Sequence, residues 1–333
     1  MKNTLKYALF LGVAGLLIWY AFKDIPLNEL FEQFKKADYT WVWASVALTF
    51  VAHASRAYRW CMLMEPLGYK PSFLNANLAV WTGYFANYII PRMGEVTRCG
   101  TLQKTDDVPF EKSFGTVVAE RVFDVITLLV LIGLNFLLEF DRLSQFFTDF
   151  FVSKLQGNAQ SGPNYLLYGI VGVGLLGGIA VLYLIFNKNT REKLLQNALV
   201  KKVWDFGVGL LDGLLSIRKL RRPWLFVFHT LLIWAMYYLM SYVLFFATPE
   251  TSQLSALAGL TLLVVGAIGM TAPTQGGIGA YHLLVGSVMV LYGLTQQSGI
   301  LLATFIHGIQ LVLTLFVGAA AFVAVLFIQR RTR

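Results

Sequence analysis

The sequence predicts an all-α polytopic membrane protein, and three observations lead to this class. Of the 333 residues, 57% are hydrophobic. Only 14% are charged, against about 25% in soluble domains. Several apolar runs approach or exceed the roughly 20 residues that cross the hydrocarbon as a helix. We therefore expect about six full spans plus two broken or re-entrant helical elements, within a single transmembrane domain over residues 1–333.

Six apolar runs are long enough to be full spans, and we take them in chain order. The first follows Lys2 and Lys6 and has no small-residue cleavage site after it, so we expect an uncleaved span rather than a signal peptide. The predicted spans are residues 7–22, 41–64, 114–138, 165–186, 223–247 and 298–328. Two shorter or interrupted apolar segments remain, at residues 73–90 and 254–291.

The distribution of Lys and Arg predicts the orientation of these spans. The loop at residues 187–222 carries nine basic residues, so we expect it in the cytoplasm, with an interfacial helix over residues 191–215. Arg330, Arg331 and Arg333 place the C-terminus inside, and the two N-terminal lysines place the N-terminus there as well. The expected location is a bacterial inner (cytoplasmic) membrane.

Counting crossings constrains the two broken segments. Residues 73–113 must begin and end inside, which predicts a re-entrant hairpin with its turn at residues 91–94. Residues 254–291 must begin and end outside, as either two full spans joined near Pro273 or a second re-entrant hairpin. If both segments are hairpins, they come from opposite faces. Two hairpins that enter the membrane from opposite faces are typical of an inverted repeat, which has its binding site between the broken helices.

Charged residues cluster around the first break and predict a substrate-binding site. Arg56 and Arg59 lie one turn apart near the inner end of the second span; snorkelling to the headgroups is the alternative for this pair. Arg92, Glu95 and Arg98 follow the break, and an ordinary loop with an internal Arg92–Glu95 pair is the alternative for them. Arginine suits a phosphate because its planar fork donates paired hydrogen bonds and stays charged.

The fourth predicted element carries a second set of charges. Glu120 and Asp124 share one helix face, and Arg121 is within reach of Asp124. They are interpreted either as a structural lock between helices, as counter-charges to Arg92 or Arg98, or as proton acceptors. We expect them to balance charge or couple a proton.

Two breaks supply the remaining candidates. Pro91 and Gly94 suit a helix break that frees backbone N–H groups for an anion. Pro273, Gly276 and Gly277 form the second break, where Gln275 could donate a hydrogen bond to a headgroup. His282, His307 and Gln310 are further polar groups within apolar segments, but a lone histidine is more often a packing residue than a ligand.

The composition gives little support for a disulfide-bonded, metal-binding or nucleic-acid-binding protein. Cys61 and Cys99 have no disulfide or metal-ligand spacing, so we expect no metal and no cofactor. A net charge of +9 does not indicate nucleic acid here, because basic residues that flank spans more often report orientation and contact with anionic lipid. The expected partners are the lipid bilayer and a membrane lipid as substrate.

Four motifs together resemble a known family, over nearly the whole chain. In order they are Arg56-x-x-Arg59-Trp60, Pro91-x-x-Gly94-Glu95-x-x-Arg98, Glu120-Arg121-x-x-Asp124 and Pro273-x-x-Gly276-Gly277. This pattern is similar to the lysylphosphatidylglycerol synthase transmembrane-region family, the flippase-like domain of multiple peptide resistance factors, which also occurs in a stand-alone form. The resemblance implies movement of lipids. No soluble aminoacyl-transferase domain follows in the chain, so lysyl transfer is not expected.

These observations predict a non-enzymatic, flippase-like translocase of an anionic lipid, such as a polyprenyl phosphate or a phospholipid. Three rivals stay open. The first is a membrane-embedded transferase acting on a lipid phosphate, although no metal-ligand cluster, nucleotide loop or nucleophile–base pair is recognisable. The second is a proton-coupled carrier of a small soluble anion. The third is an accessory subunit of an envelope-lipid synthase.

Overall fold

The computed structural model describes residues 27–142, 196, 201, 220–272 and 274–331. Within these residues every regular element is a helix, as the all-α prediction requires. The predicted spans at residues 7–22 and 165–186 lie outside the described residues, as does the interfacial helix predicted at 191–215 apart from residues 196 and 201. The chain forms two compact units, Met1–Arg121 with Lys219–Arg333, and Val122–Arg218.

Nine helices of the described ranges are used below. In chain order they are α1 (Leu27–Lys36), α2 (Tyr39–Met64), α3 (Phe73–Ile89), α4 (Gly94–Thr105), α5 (Phe110–Leu138), α6 (Pro223–Tyr242), α7 (Ala256–Met270), α8 (Ala280–Met289) and α9 (Gln296–Arg331). Helix α6 continues into a 3₁₀ segment, Val243–Ala247.

Among the described residues, three helices are long and apolar enough to cross a membrane: Phe110–Leu138, Pro223–Ala247 and Gln296–Ile328. Helix α2 has 26 residues, which also exceeds the length of a crossing, but it carries Arg56 and Arg59 in its C-terminal half. The described part of the chain is thus an all-α membrane protein.

Helix α1 was not predicted, because it lies in the connection between the first two predicted spans, outside any apolar run. It is a ten-residue amphipathic helix whose Phe34 packs on Phe305 of α9, with ring centroids 4.9 Å apart. Asp38 then caps α2, since its Oδ1 accepts the N–H of Thr40 at 2.9 Å. This cap explains why α2 begins two residues before the predicted start at residue 41.

The first broken segment is a helical hairpin made of α3 and α4. The chain turns at residues 90–93, where Arg92 adopts a left-handed conformation with φ 64°. The backbone N–H of Gly94 donates to Asn87 Oδ1 at 2.6 Å across the turn. At the other end, the N–H of Ser72 donates to Asp106 Oδ1 at 2.8 Å. The hairpin therefore returns to the end from which it started, as the crossing count predicted.

The second broken segment is a hairpin made of α7 and α8. Its first arm has 15 residues, and its second has 10 residues continued by the 3₁₀ segment Val290–Tyr292, so the arms are about 22 and 21 Å long, against a hydrocarbon core of about 30 Å. The alternative of two full spans is therefore not supported, and the re-entrant alternative is. Between the arms, Gly276, Gly277 and Gly279 all have positive φ, a region that strains other residues.

The two hairpins meet at their tips. A guanidinium nitrogen of Arg92 donates to the carbonyl of Thr271 at 3.4 Å, and Gly276 lies so close to Tyr88 that a Cβ there would overlap its ring. We call this the tip contact. Helix α9 packs along α3, where Gly318 lies against Phe85.

Candidate functional site

The candidate site lies between α2, the first hairpin and the start of α5. A narrow, partly open cleft lies there, and the space between its walls is about 230 Å³ when the open solvent at its mouth is included. Its lining combines charged, aromatic and amide side chains with the close-packed backbone of the hairpin: Arg56, Val80, Gly83, Tyr84, Asn87, Gly94, Glu95, Arg98 and Arg121. Four of the predicted arginine and glutamate residues, Arg56, Glu95, Arg98 and Arg121, thus line one cleft together with the predicted break at Gly94.

Glu120 is the centre of a buried charge cluster beside the cleft. Its Oε1 is 2.7 Å from Arg56 Nη2 and 3.5 Å from Arg59 Nη2, and its Oε2 is 3.0 Å from Arg98 Nη2. Relative exposure is 3%, 0% and 4% for the three arginines and 0% for Glu120. We call these four residues the arginine cluster. Its formal charges, three positive and one negative, sum to +2.

This burial decides between the two interpretations of Arg56 and Arg59. Snorkelling requires the guanidinium group to reach the headgroup region, whereas both side chains end inside the protein on a carboxylate. The snorkelling alternative is therefore wrong for this pair. From the sequence, Arg92 and Arg98 were both candidate partners of Glu120. In the structure, Glu120 pairs with Arg98, and also with Arg56 and Arg59.

Hydroxyl groups hold two of the arginines in place. Nη1 of Arg56 donates to Tyr84 at 3.0 Å and to Tyr237 at 2.7 Å. Nη1 of Arg59 donates to Thr230 Oγ1 at 3.1 Å. Since Tyr237 and Thr230 belong to α6, the cluster joins α6 to the first hairpin and α2.

Arg98 is held differently, by an aromatic face. Its guanidinium carbon lies 4.6 Å from the ring centroid of Trp60, a cation–π distance. Trp60 is itself fixed, because its indole N–H donates to Thr116 Oγ1 at 2.9 Å. The Nε of Arg98 is buried and has no hydrogen-bond partner among the described residues. Arg98 therefore lines the cleft with an unused donor.

Glu95 pairs with Arg121 at the more exposed side of the cleft. Arg121 Nη2 lies 2.7 Å from Glu95 Oε1, and the two side chains are 44% and 26% exposed. The alternative of an internal Arg92–Glu95 pair is therefore wrong. Arg92 is exposed at the hairpin tip and contacts the second hairpin instead.

The other predicted residues are not part of the cleft lining. Pro91 is exposed in the turn before Arg92. Gly276 lies at the tip contact against Tyr88, and Gly277 lies against Met270, the last residue of α7. Asp124 is half-buried on α5 in the second compact unit. Pro273 and the side chain of Gln275 lie outside the described part of the structure.

Sequence reasoning missed the residues that position the arginines. Tyr84, Tyr237, Thr230 and Thr116 are single polar groups in apolar helices, where tyrosine and threonine are common. Only Trp60 had a local signal, because it directly follows Arg59 in the Arg-x-x-Arg-Trp motif. Their roles depend on contacts between residues up to 181 positions apart, which no local pattern encodes.

Comparison with known proteins then decides the family. A family model described as the lysylphosphatidylglycerol synthase TM region matches residues 6–318, nearly the whole chain. The chain belongs to this family. The resemblance stated from the four motifs is therefore confirmed.

The curated proteins that this chain resembles are distant relatives. The UPF0104 membrane protein MJ1595 of Methanocaldococcus jannaschii is 28% identical over 188 residues, which are 55% of this chain and 50% of that protein. The UPF0104 membrane protein PH1989 of Pyrococcus horikoshii is 24% identical over 141 residues, 41% of each chain. The match therefore spans half or less of the length of these relatives.

A third relative carries the name of an enzyme. Glycosyltransferase AglD of Haloferax volcanii is 27% identical over 135 residues, which are 40% of this chain and 21% of that protein. No solved structure matches this chain.

Proposed function

We propose that this protein is a lipid translocase that moves an anionic lipid across the cytoplasmic membrane. The headgroup would bind in the cleft beside the arginine cluster while the acyl or prenyl chains stay in the bilayer. One observation carries the proposal: four buried side chains with a formal charge of +2 lie beside a cleft that Arg56 and Arg98 line. Buried charge is costly in a membrane and commonly marks a substrate path.

The chemistry of the cleft favours a phosphate-bearing headgroup. Guanidinium groups form paired, charge-assisted hydrogen bonds with phosphate oxygens, and Arg98 has a buried Nε donor that no described residue uses. The unpaired donor gives a phosphate oxygen a partner without breaking an existing hydrogen bond.

The carboxylates of the cleft argue against an amine-bearing headgroup. Glu120 is shared by three arginines, and Glu95 is paired with Arg121. An ammonium group would need to displace one of these pairs. The proposed substrates are therefore a polyprenyl phosphate or another anionic lipid first, and a lysyl-type cationic lipid second.

As a translocase the protein would be a non-enzymatic carrier. Moving a headgroup breaks no covalent bond, so the proposal includes no catalytic residue, cofactor, metal or nucleic acid. The lipid and the bilayer are the partners, and both chain termini would face the cytoplasm, as the basic residues predict.

The experiment compares lipid binding and translocation by purified protein in liposomes. The variant Arg98→Gln removes the donor of the cleft, while Arg222→Gln removes an exposed arginine before α6 as a matched control. A lost charge-assisted contact costs on the order of 1.5 to 3 kcal/mol, about tenfold or more in affinity. We expect this loss for anionic lipids in Arg98→Gln and none in the control. Equal binding by the two variants would refute the site.

A second candidate is a subunit that presents a lipid to a glycosyltransferase. The similarity to a relative named Glycosyltransferase AglD favours it. The same liposomes separate the two candidates. Translocation by the purified chain alone supports the translocase, whereas binding that depends on Arg98 without any translocation supports the subunit.

A further inference from the structure

Two histidines lie beside the tip contact, and the proposed lipid site does not use them. His282 of α8 and His307 of α9 are both 6% exposed, and their rings stack with centroids 5.1 Å apart. The hydroxyl of Tyr88, the residue that packs on Gly276, is 3.5 Å from His307 Nε2. The imidazole pair therefore contacts the first hairpin at the point where the two tips meet.

His282 holds the start of α8 in place through an unprotonated nitrogen. The backbone N–H of Gly279 donates to His282 Nδ1 at 3.3 Å, which caps the helix at the end of the second break. A backbone N–H can only donate, so Nδ1 must offer its lone pair and the ring is neutral. A proton on Nδ1 would remove the cap and place positive charge at a helix N-terminus, where it is unfavourable.

His307 offers a second position for a proton. Its Nδ1 is buried and has no hydrogen-bond partner among the described residues, and a neutral imidazole always keeps one nitrogen without a proton. Because the rings are stacked, a charge on one ring opposes a charge on the other. The pair is therefore expected to take up one proton, not two.

The groups around the pair leave an imidazolium without a carboxylate partner. Tyr88 faces it from α3 and Tyr281 from α8, with the Tyr281 ring 5.2 Å from His307. Arg92 reaches the base of the break at Thr271. In the described residues no hydrogen bond or salt bridge joins either imidazole to a charged residue of α1, α2, α4 or α7. Helix α9 carries no charge before Arg330.

We propose that His282 and His307 form a proton-binding site that separates the two hairpin tips when it is protonated. A hydronium ion gives its proton to Nδ1 of His282 and leaves as water, the new N–H replaces the hydrogen bond from Gly279 to this nitrogen, and the turn between α7 and α8 is released. The contacts of Gly276 with Tyr88 and of Arg92 with Thr271 are then lost as well. Because the closed tips require the neutral ring, a fall in pH favours the open state.

This site would supply an energy source for translocation, and only that last step rests on the proposed function. For Glu120 and Asp124, the sequence left open whether they balance charge or accept a proton. Glu120 is bound by three guanidinium groups, which commits it to balancing charge. The histidine pair, in contrast, lies beside the tip contact, and Nδ1 of His307 has no hydrogen-bond partner among the described residues, so it can accept a proton.

The experiment measures the distance between the tips as a function of pH. Cys61 and Cys99 are replaced by alanine, and spin labels are attached at two exposed positions, Met93→Cys on the first tip and Thr274→Cys on the second. The dipolar distance distribution is recorded between pH 8 and pH 5 in lipid nanodiscs. One coupled proton changes the ratio of open to closed tips by up to about tenfold per pH unit.

The decisive variant is His282→Gln, because glutamine at this position caps the same N–H but does not titrate. We expect the tips to open at low pH in the labelled parent and to stay closed in His282→Gln. The matched control His229→Gln removes a histidine of α6 that bonds Ser55 instead, and it should behave as the parent does.

Two outcomes overturn the proposal: tips that stay closed at every pH in the parent, or tips that open at low pH in His282→Gln as they do in the parent. The distance measurement needs no substrate. Tips that follow pH in a protein that binds no anionic lipid would therefore remove the proposed function and keep the proton site.

Discussion

Glu120 shows how a single carboxylate can keep several basic side chains inside a membrane protein. The desolvation of each guanidinium group costs several kcal/mol, and only close pairing with good geometry offsets it. Glu120 spreads its two oxygens over Arg56, Arg59 and Arg98, while hydroxyls and the Trp60 ring satisfy much of the remaining donor capacity. The cluster therefore keeps a net positive charge, while each of its arginines has a partner in the protein.

Removing this carboxylate should destabilise the protein far more than removing its neighbour. Glu120→Gln leaves three buried arginines with no charge to pair them, and breaking a buried pair costs about 3–5 kcal/mol. Glu95→Gln breaks the partly exposed pair with Arg121, for which about 1 kcal/mol or less is expected. The measurement is the unfolding of both variants in detergent. Similar losses in the two variants would contradict a structural role for the cluster.

The sequence predicted which residue types matter at the site, but not how they pair. Pro91, Gly94 and the arginine spacing were visible as departures from an apolar background. The choice between Arg92 and Arg98 as partner of Glu120, and between Arg92 and Arg121 as partner of Glu95, depends on how α3, α4 and α5 pack. Local spacing favoured a pair with Arg92, three residues away, whereas tertiary packing pairs Glu95 of α4 with Arg121 of α5.

Short hairpin arms are the elements that distinguish this fold from a simple bundle. The two hairpins could be predicted by counting crossings, because the basic residues predict which end of each long span is cytoplasmic. Their bounds were predicted well, with α3 at residues 73–89 against an expected 73–90. Helix α1 was missed, since ten amphipathic residues between two spans resemble an ordinary loop.

Close backbone approach between α3 and α9 supplies a test at the level of elements. A Cβ at Gly318 would be 2.6 Å from Phe85 Cβ and 3.0 Å from the Trp81 carbonyl oxygen, whereas one at Gly308 meets only Phe34 Cζ at 3.7 Å. Alanine should gain up to about 1 kcal/mol of helix propensity at either position. At Gly318 we expect overpacking of about 1–3 kcal/mol to exceed that gain.

The measurement is the thermal midpoint of the purified variants. Gly318→Ala should unfold at a lower temperature than wild type, and Gly308→Ala at the same or a higher one. If Gly318→Ala were the more stable of the two, α9 would not be packed closely on α3 at this position.

At the scale of the molecule, the order of elements repeats within the residues that the structure describes. A long helix, a short hairpin and a second long helix occur as α2, α3–α4 and α5, and again as α6, α7–α8 and α9. The similarity between the two breaks in sequence is slight, Pro-Arg-Met-Gly-Glu against Pro-Thr-Gln-Gly-Gly. Hydrophobic length and charge asymmetry carried the prediction of this order, because they are preserved where residue identity is not.

The count of crossings, together with the basic residues that orient the long spans, predicts that the first hairpin begins and ends on the cytoplasmic side. Ser72 and Lys112 flank it and are exposed, so single cysteines there, in a variant lacking Cys61 and Cys99, should both react with an impermeant thiol reagent from that side only. Cysteines that react from opposite faces would contradict the re-entrant topology, and with it the binding site proposed at this hairpin.

The separation of Glu120 from its arginines has a consequence for biosynthesis. Glu120 follows Arg98 by 22 residues, so at 5–20 residues per second it leaves the ribosome roughly 1–4 s later. Throughout that interval Arg56, Arg59 and Arg98 lack Glu120, the carboxylate with which they are buried in the folded protein. The first hairpin must therefore wait at the insertion machinery or the membrane surface, and α5 carries it into place.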